Sequence, residues 1–246
     1  MSQDIFERIE KKYRITAAQK EAVLREIVDR LLEDQYCRST IQSLYLDTPD
    51  HLIIRNSIEA KGRSVYKEKL RVRSYGTPGR EDKVFFELKK KFKGVVYKRR
   101  ICMTLEEAER YLSDGTCPKD SQIMKEIDYA MDFYGRPKPA VMICYEREAY
   151  SIKDHPALRI TFDSNVRYRD RELSLGKGSQ GLAIIGKEEY LLEVKSDGAI
   201  PVWLSEILDR NRVYPSSFSK YGTAYRMIRE KATEITGGAQ ANVINL

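Results

Sequence analysis

The chain has 246 residues, with 44 Lys and Arg against 37 Asp and Glu, a formal net charge of +7. At 41% hydrophobic and 33% charged it has a globular composition, long enough for one large β-rich domain or two ordinary ones, which excludes disorder for most of its length. His51 and His155 are too few for a His-rich zinc site, and Cys37, Cys102, Cys117 and Cys144 show no C-x-x-C spacing, so no structural zinc is expected.

Taken in chain order, Ile5 to Ile15 alternates as a strand, with Ile9, Tyr13 and Ile15 on one side and Arg8, Glu10, Lys12 and Arg14 on the other. Thr16-Ala17-Ala18-Gln19 has capping-box spacing, and Leu24, Ile27, Val28 and Leu31 follow with a helical period. Strands are expected at Thr40 to Leu46, Leu52 to Glu59, Tyr66 to Tyr75, Lys83 to Lys91 and Val95 to Met103, separated by turn formers such as Thr48-Pro49-Asp50 and Gly94. A second capping box, Thr104 to Glu107, opens a helical region that breaks near Gly115 to Lys119 and ends before Pro137 and Pro139. Strands return at Ala140 to Tyr150, Leu158 to Phe162, Val166 to Asp170 and Tyr190 to Lys195, with a mobile loop at Leu175 to Lys187. Helices at Val202 to Asn211 and Ser219 to Lys231 precede a frayed tail, GGAQANVINL. Roughly ten strands and four or five helices without βαβ alternation give one antiparallel α+β domain over 1–236 and a flexible tail over 237–246.

No apolar leader opens the chain, and no run approaches the roughly 20 apolar residues of a membrane span. With its cysteines read as reduced thiols, a soluble cytoplasmic protein without a transmembrane segment is expected.

Chemistry enters through strands whose pattern is inverted. Lys69, Arg71 and Arg73 alternate with Leu70 and Val72, which puts three cations on one sheet face. Glu87, Lys89 and Lys91 alternate with Leu88 and Lys90 in the same way, backed by Phe86 and Leu88. Arg8, Glu10 and Lys12, then Arg159, Thr161 and Asp163, then Glu193 and Lys195 repeat the arrangement. One such strand is an ordinary sheet with its charged face in water. Repetition over five strands, with hardly any Ser, Thr or Gln at the alternate positions, fits a curled barrel with a polar interior and helices on its apolar outside. So many cations in one lumen repel unless a strongly anionic ligand with several phosphates fills it. The acids among them have two readings: ion-pair partners that hold the cations, or ligands of a hard divalent metal that bridges phosphates. Cationic clamps with such a metal suffice for phosphoryl transfer, which is mostly positioning and charge neutralisation.

Other signatures are absent: there is no G-x-x-x-x-G-K-[ST] loop, no G-x-S-x-G elbow and no kinase set. Gly176-Lys177-Gly178 reads as a flexible loop, and most of the 16 Tyr fall within strand patterns as packing residues, which argues against a nucleic-acid partner.

The run Arg8-x-Glu10-x-Lys12-Tyr13, then SLYLDTP (43–49), KLRVRSYG (69–76), FELKKK (86–91), YEREAY (145–150), RITFD (159–163), LLEVKS (191–196) and FSKY (218–221) resembles the VTC domain, the polyphosphate polymerase branch of the triphosphate tunnel metalloenzymes, also called CYTH-like. The resemblance implies an antiparallel β tunnel lined by basic residues, binding ATP and inorganic polyphosphate with Mn²⁺ or Mg²⁺. Its polymerases transfer the ATP γ-phosphate onto a growing polyphosphate chain; a tripolyphosphatase or nucleoside triphosphatase, or a non-catalytic polyphosphate sensor, is the alternative on the same tunnel. Carried over by position, the catalytic set resembles Lys69, Arg71, Arg73, Lys89, Arg147, Arg159 and Lys220, of which Arg147 and Lys220 rest on the resemblance alone. Lys12, Arg8, Lys91, Lys98 and Lys195 would contact substrate, and Glu193 with Glu10 would hold the metal. Arg8 departs from the hydrolytic branch, which begins Glu-x-Glu-x-Lys; a cation there favours retention of a long polyanion over activation of water. Protein partners are not implied. The chain's positive surplus is thereby expected inside the lumen rather than over its outer surface.

Overall fold

Two capping boxes fix where the first helices begin. The computed structural model describes residues 9–59, 66–93 and 95–241, and in it strand β1 (Ile9–Thr16) turns directly into helix α1 (Ala17–Ile27). The Thr16 hydroxyl accepts from Gln19 N at 3.2 Å, and Gln19 Oε1 accepts from Thr16 N at 3.0 Å. Thr104 and Glu107 repeat this at α3 (Leu105–Asp114), with bonds of 3.1 and 2.8 Å. Each cap satisfies amides that helix geometry leaves orphaned and is worth about 1 kcal/mol. The helical period expected to reach Leu31 falls short: α1 stops at Ile27, a 3₁₀ turn spans Val28–Arg30, and Leu31 opens the long strand β2 (Leu31–Asp47).

The segment expected as a strand at Leu52 to Glu59 is helix α2 (Leu52–Glu59). Its cause lies just upstream. Asp47 Oδ1 accepts from Thr48 N and Ile53 N, Asp47 Oδ2 from Ile54 N, and Thr48 Oγ1 from Leu52 N, all between 2.8 and 3.0 Å. Four amides gathered by two side chains start a helix where the apolar run Leu52-Ile53-Ile54 has no strict alternation to oppose it.

The remaining elements are β3 (Lys67–Tyr75), β4 (Lys83–Phe92), β5 (Val95–Thr104), α4 (Gln122–Phe133), β6 (Lys138–Ile152), β7 (His155–Arg169), β8 (Leu182–Ala183), β9 (Glu189–Ser196), α5 (Val202–Arg210) and α6 (Lys220–Ala241). The two strands expected at 158–162 and 166–170 are one, β7, and the loop expected at 175–187 holds a 3₁₀ turn and the short β8. Helix α6 runs on through Ala241, into the stretch expected as a frayed tail.

All nine strands form one sheet, antiparallel throughout, in the order β1-β9-β7-β6-β2-β3-β4-β5, with β8 beside β7. Its curvature follows from one contact. Strands β1 and β4 are six steps apart in that order, which at the usual strand spacing is about 29 Å in a flat sheet. Yet Lys89 Nζ on β4 lies 3.6 Å from Glu10 Oε2 on β1. The sheet is therefore rolled into a tunnel, with edges β1 and β5 unpaired with each other among the described residues.

Apolar residues cover the outside. Val84, Phe86 and Leu88 of β4 pack with Leu70 and Val72 of β3 beneath α3 and α4. Tyr13, Ile15, Ile160, Phe162, Leu192 and Val194 pack beneath α1 and α5. The other two helices differ from the expected outer layer. Helix α6 enters the concave side, where Tyr221 and Ala224 pack with Ile41, Tyr45, Val141, Ile143, Tyr145 and Leu191, and α2 contributes Ile54 to the same cluster.

The stretch leading into α6 crosses the lumen. Ser216 N donates to Lys12 O (2.7 Å) on β1, and Lys12 Nζ donates to Phe218 O (3.5 Å). Lys69 Nζ on β3 donates to Ser219 Oγ (3.2 Å), Lys220 Nζ to Asp163 Oδ2 on β7 (2.6 Å), and Tyr221 OH to Asp47 Oδ2 on β2 (2.7 Å). A single short segment thus ties four strands together across the lumen. No helix among the described residues is long and apolar enough to cross a membrane, which says nothing of membrane-spanning strands.

Candidate active site: a basic lumen

Directly paired residues of an antiparallel ladder share a face, so the register lays out the lumen. Glu10 pairs with Lys195, and Lys195 with Arg159; Lys12 pairs with Glu193, and Glu193 with Thr161. Asp163 pairs with Arg147, Arg147 with Ser39, Ser43 with Arg73, and Tyr45 with Arg71. Arg71 then pairs with Glu87 and Glu87 with Arg100, while Lys69 pairs with Lys89 and Lys89 with Lys98. With Lys220 from α6, ten cations (Lys12, Lys69, Arg71, Arg73, Lys89, Lys98, Arg100, Arg147, Lys195, Lys220) meet four carboxylates (Glu10, Glu87, Asp163, Glu193). Ten against four leaves a surplus of six, nearly all of the chain's +7.

The carboxylates are not equivalent. Glu87, buried at 1% exposure, gathers Arg71 Nη2 (2.6 Å), Lys98 Nζ (2.7 Å), Arg100 Nε (3.2 Å) and Arg73 Nε (4.0 Å). Burial by itself would raise the Glu87 carboxyl, and Arg71, Arg73 and Lys98 outweigh it, holding it far below the usual carboxylate range. Asp163 forms a bidentate pair with Arg147 (2.6 and 2.7 Å) while accepting from Lys220. Burial opposes its ionisation too, and Lys220 and Arg147 prevail, so it stays below its ordinary value. Both acids are therefore committed partners that hold guanidiniums in place.

Glu193 has looser company. Lys195 Nζ lies 3.1 Å from its carboxylate, and Lys12, Arg147 and Lys220 lie at 3.7 Å. Burial opposes its charge, and Lys195, Lys220 and Lys12 hold it well below the ordinary range. Glu10 contacts Lys12 (3.2 Å) and Lys89 (3.6 Å), which against the effect of burial bring its carboxyl down to about 2. Lys12 Nζ lies between the two acids, 3.2 Å from Glu10 and 3.7 Å from Glu193, which sets the carboxylates on either side of one ammonium. Among the described residues no group of three or more His, Cys, Asp or Glu is arranged to enclose a metal ion. Two incompletely engaged carboxylates nevertheless match a hard divalent cation that takes the rest of its shell from phosphate and water.

Two cations lack a close carboxylate. Arg73 donates to hydroxyls, Ser43 Oγ at 3.2 Å and Tyr145 OH at 3.4 Å. Lys69 donates to Ser219, and burial together with Lys12, Lys89 and Arg71 pulls its ammonium down to about 8. Tyr45 sits over the same group, its OH accepting from Arg71 Nη1 (3.1 Å) and its ring stacked on Tyr221 at 4.6 Å. Burial would raise the Tyr45 phenol, but Arg71, Lys69 and Arg73 bring it down to about 7.

Of the residues expected from the sequence, Lys12, Lys69, Arg71, Arg73, Lys89, Lys98, Arg147, Lys195, Lys220, Glu10 and Glu193 come together here. Lys91 and Arg159 share the face by register but are exposed toward the strand ends. Arg8 lies outside the described residues. Reading the sequence missed Arg100, Tyr45 and Tyr145 as members of the site, and placed Asp163 on the charged face without a role of its own. Arg100 had a usable signal, the alternation Lys98-x-Arg100; the tyrosines looked like packing residues, and only their hydroxyl contacts set them apart.

No curated protein matches the chain. Among solved structures, a candidate adenylate cyclase from Bacillus halodurans is similar over 88% of this chain and 96% of its own, with 14% identity and a TM-score of 0.55. A candidate adenylyl cyclase from Hippeastrum, described as having a dominant triphosphatase activity, covers 87% of this chain and 93% of its own at 14% identity and a TM-score of 0.48. The first likeness shows the shared fold, the antiparallel tunnel that the register and the cross-lumen contacts describe. The VTC domain matches residues 7–229, and the chain belongs to that family.

Proposed function

We propose that the protein is a metal-dependent phosphotransferase that moves the γ-phosphate of ATP onto a growing inorganic polyphosphate chain inside the lumen. The observation that carries this reading is the surplus of six positive charges among the ten cations and four carboxylates gathered in the lumen, which a multiply charged anion would neutralise. Lys69, Arg71, Arg73, Lys89, Arg147 and Lys220 would bind and orient the phosphates, with Lys12, Lys98 and Lys195 as further substrate contacts. Glu193, with Glu10, would hold Mg²⁺ or Mn²⁺, which would supply neutralisation of phosphate charge. In the transfer an oxygen of the chain's terminal phosphate forms a bond to Pγ, the bond from Pγ to the β-bridging oxygen breaks, and ADP departs with that electron pair. A cytoplasmic location, where ATP is abundant, belongs to the same proposal.

Hydrolysis of a nucleoside triphosphate or tripolyphosphate is the second reading, and one observation favours it. In-line displacement puts the nucleophile opposite the leaving group. With the α6 segment across the lumen, a small nucleophile such as water would need less room opposite the leaving group than a second chain. Incubation with ATP and Mn²⁺, with products resolved on a gel, separates the two: long polyphosphate supports transfer, and orthophosphate as the sole product overturns it in favour of hydrolysis.

A further inference from the structure

On the outside of the tunnel, helix α4 holds the two most exposed aromatic side chains among the described residues. Its inner face, Met124, Ile127, Ala130 and Met131, is buried against the sheet. Its outer face has the helical spacing Gln122, Lys125, Glu126, Tyr129, Asp132, Phe133. Tyr129 and Phe133 are each 68% exposed and stack on one another, ring centroids 6.5 Å apart, and Tyr134 meets the Phe133 ring edge-on at 4.9 Å. An aromatic pair fixed in place with its outer side in water is the composition of an interface centre.

The same face also has a hole. A cavity of about 240 Å³ is walled by Gln122, Lys125, Glu126 and Tyr129 of the helix and by Lys90 of β4. A cavity of roughly 150 Å³ already takes a benzene ring. The hole lies on the N-terminal side of Tyr129 and the knob, Phe133, one turn to its C-terminal side, which makes the face complementary to itself. Consider a second α4 laid antiparallel across the first, with a twofold axis at Tyr129. Residues four positions after Tyr129 in one copy come level with residues four positions before it in the other. At about 100° per residue, Phe133 of the second copy then falls beside Gln122, Glu126 and Tyr129, where the cavity is. Asp132 of the second copy falls opposite Lys125. Both of these charges are held only by exposed pairs, Lys125 with Asp120 (2.8 Å) and Asp132 with Arg136 (2.6 Å), which cost little to exchange. Net charge does not oppose the approach, since the lumen holds six of the chain's seven surplus positive charges.

We propose that this face joins two copies of the chain through an antiparallel α4 contact, with Phe133 of each seated in the other's cavity and Lys125 facing Asp132 across the axis. Tyr129 and Phe133 together offer roughly 270 Å² per copy, about a third of the roughly 800 Å² per partner that a stable interface buries, and the polar residues around them form the rim. The dimer is accordingly reversible rather than obligate. It leaves the lumen untouched and does not depend on what the lumen binds.

The test is sedimentation equilibrium of the full chain between about 1 and about 200 µM, where a monomer–dimer equilibrium is expected. Phe133→Asp is expected to weaken it about a hundredfold or more, because a central aromatic is lost twice in a twofold contact. Phe133 is exposed in the single chain, so the denaturant midpoint of the variant should match wild type, which separates lost association from lost folding. Lys125→Asp and Asp132→Lys should each weaken the dimer, and combining them should restore it, since the exchanged charges again face each other across the axis. A chain that stays monomeric throughout overturns the proposal, as does a dimer unaffected by Phe133→Asp. A double exchange that associates no better than the single ones overturns the antiparallel register and with it the proposal as drawn.

Discussion

Replacing Lys69 by Met should stabilise the protein while weakening its hold on phosphate. The Lys69 ammonium falls from 10.5 to about 8, chiefly through burial and then through its cationic neighbours Lys12, Lys89 and Arg71. At about 1.4 kcal/mol per pKa unit, keeping that charge costs the empty fold about 3 kcal/mol near neutral pH. Losing the bond to Ser219 returns about 1 kcal/mol, so Lys69→Met should gain about 2 kcal/mol. The sign with pH follows from linkage. Since the folded-state value lies below the unfolded one, the unfolded chain holds more protons between pH about 8 and 10.5, and wild-type stability is relieved of the cost as pH rises through that window. Denaturant titrations should therefore show the largest gain of Lys69→Met below pH 8, shrinking as pH approaches 10.5. Calorimetry on the same samples should show tripolyphosphate binding weakened in the variant. A variant no more stable than wild type near neutral pH, or a difference independent of pH, refutes the claim that Lys69 is held charged at a cost.

The opposite sign is expected at Glu87: Glu87→Gln leaves Arg71, Lys98 and Arg100 without their shared partner and should cost about 3–5 kcal/mol in denaturant titrations. Saturating tripolyphosphate should recover part of that loss, since an anion that binds only the folded chain stabilises it; no loss would show that the cluster is relaxed by solvent. Glu193→Gln should abolish metal stimulation of turnover while metal-free tripolyphosphate binding is kept or tightened, and undiminished stimulation would remove Glu193 as the metal ligand. The Tyr45 phenol should titrate near pH 7 by ultraviolet absorbance in the ligand-free protein, move upward when phosphate neutralises its cationic neighbours, and vanish from the titration in Tyr45→Phe. A titration unaffected by phosphate would mean that the anion does not approach Arg71.

The charged lumen was legible because strand geometry has period two, so Lys69, Arg71 and Arg73 had to share a face before any register was known. The apolar residues between them, Leu70 and Val72, proved to be buried on the outside under α3 and α4. Local chemistry defeated the reading elsewhere. At Leu52 to Glu59 the decisive groups were Asp47 and Thr48, whose side chains gather helix amides from outside the segment. Helix α6 has an amphipathic pattern that says one face is covered but not by what, and nothing local places it within the lumen rather than on the barrel's outer surface. Glu87 had been one acid among several candidates; that it serves four cations while Glu193 stays loosely engaged depends on distances between strands far apart in sequence.

The pairing of β1 with β9, and the crossing of the lumen by the residues just before α6, also bear on how the molecule is made. The first described strand waits for the last one before it has a neighbour in the sheet, and contacts of such long sequence separation form slowly. During synthesis the basic strands β3, β4 and β5 emerge and pair well before Asp163, Glu193 and Lys220 leave the ribosome. For that interval a half-barrel carries its cations with Glu10 and Glu87 as the lumen-facing acids to offset them. The trough takes half of its acidic counter-charges last, since Asp163 and Glu193 arrive with β7 and β9.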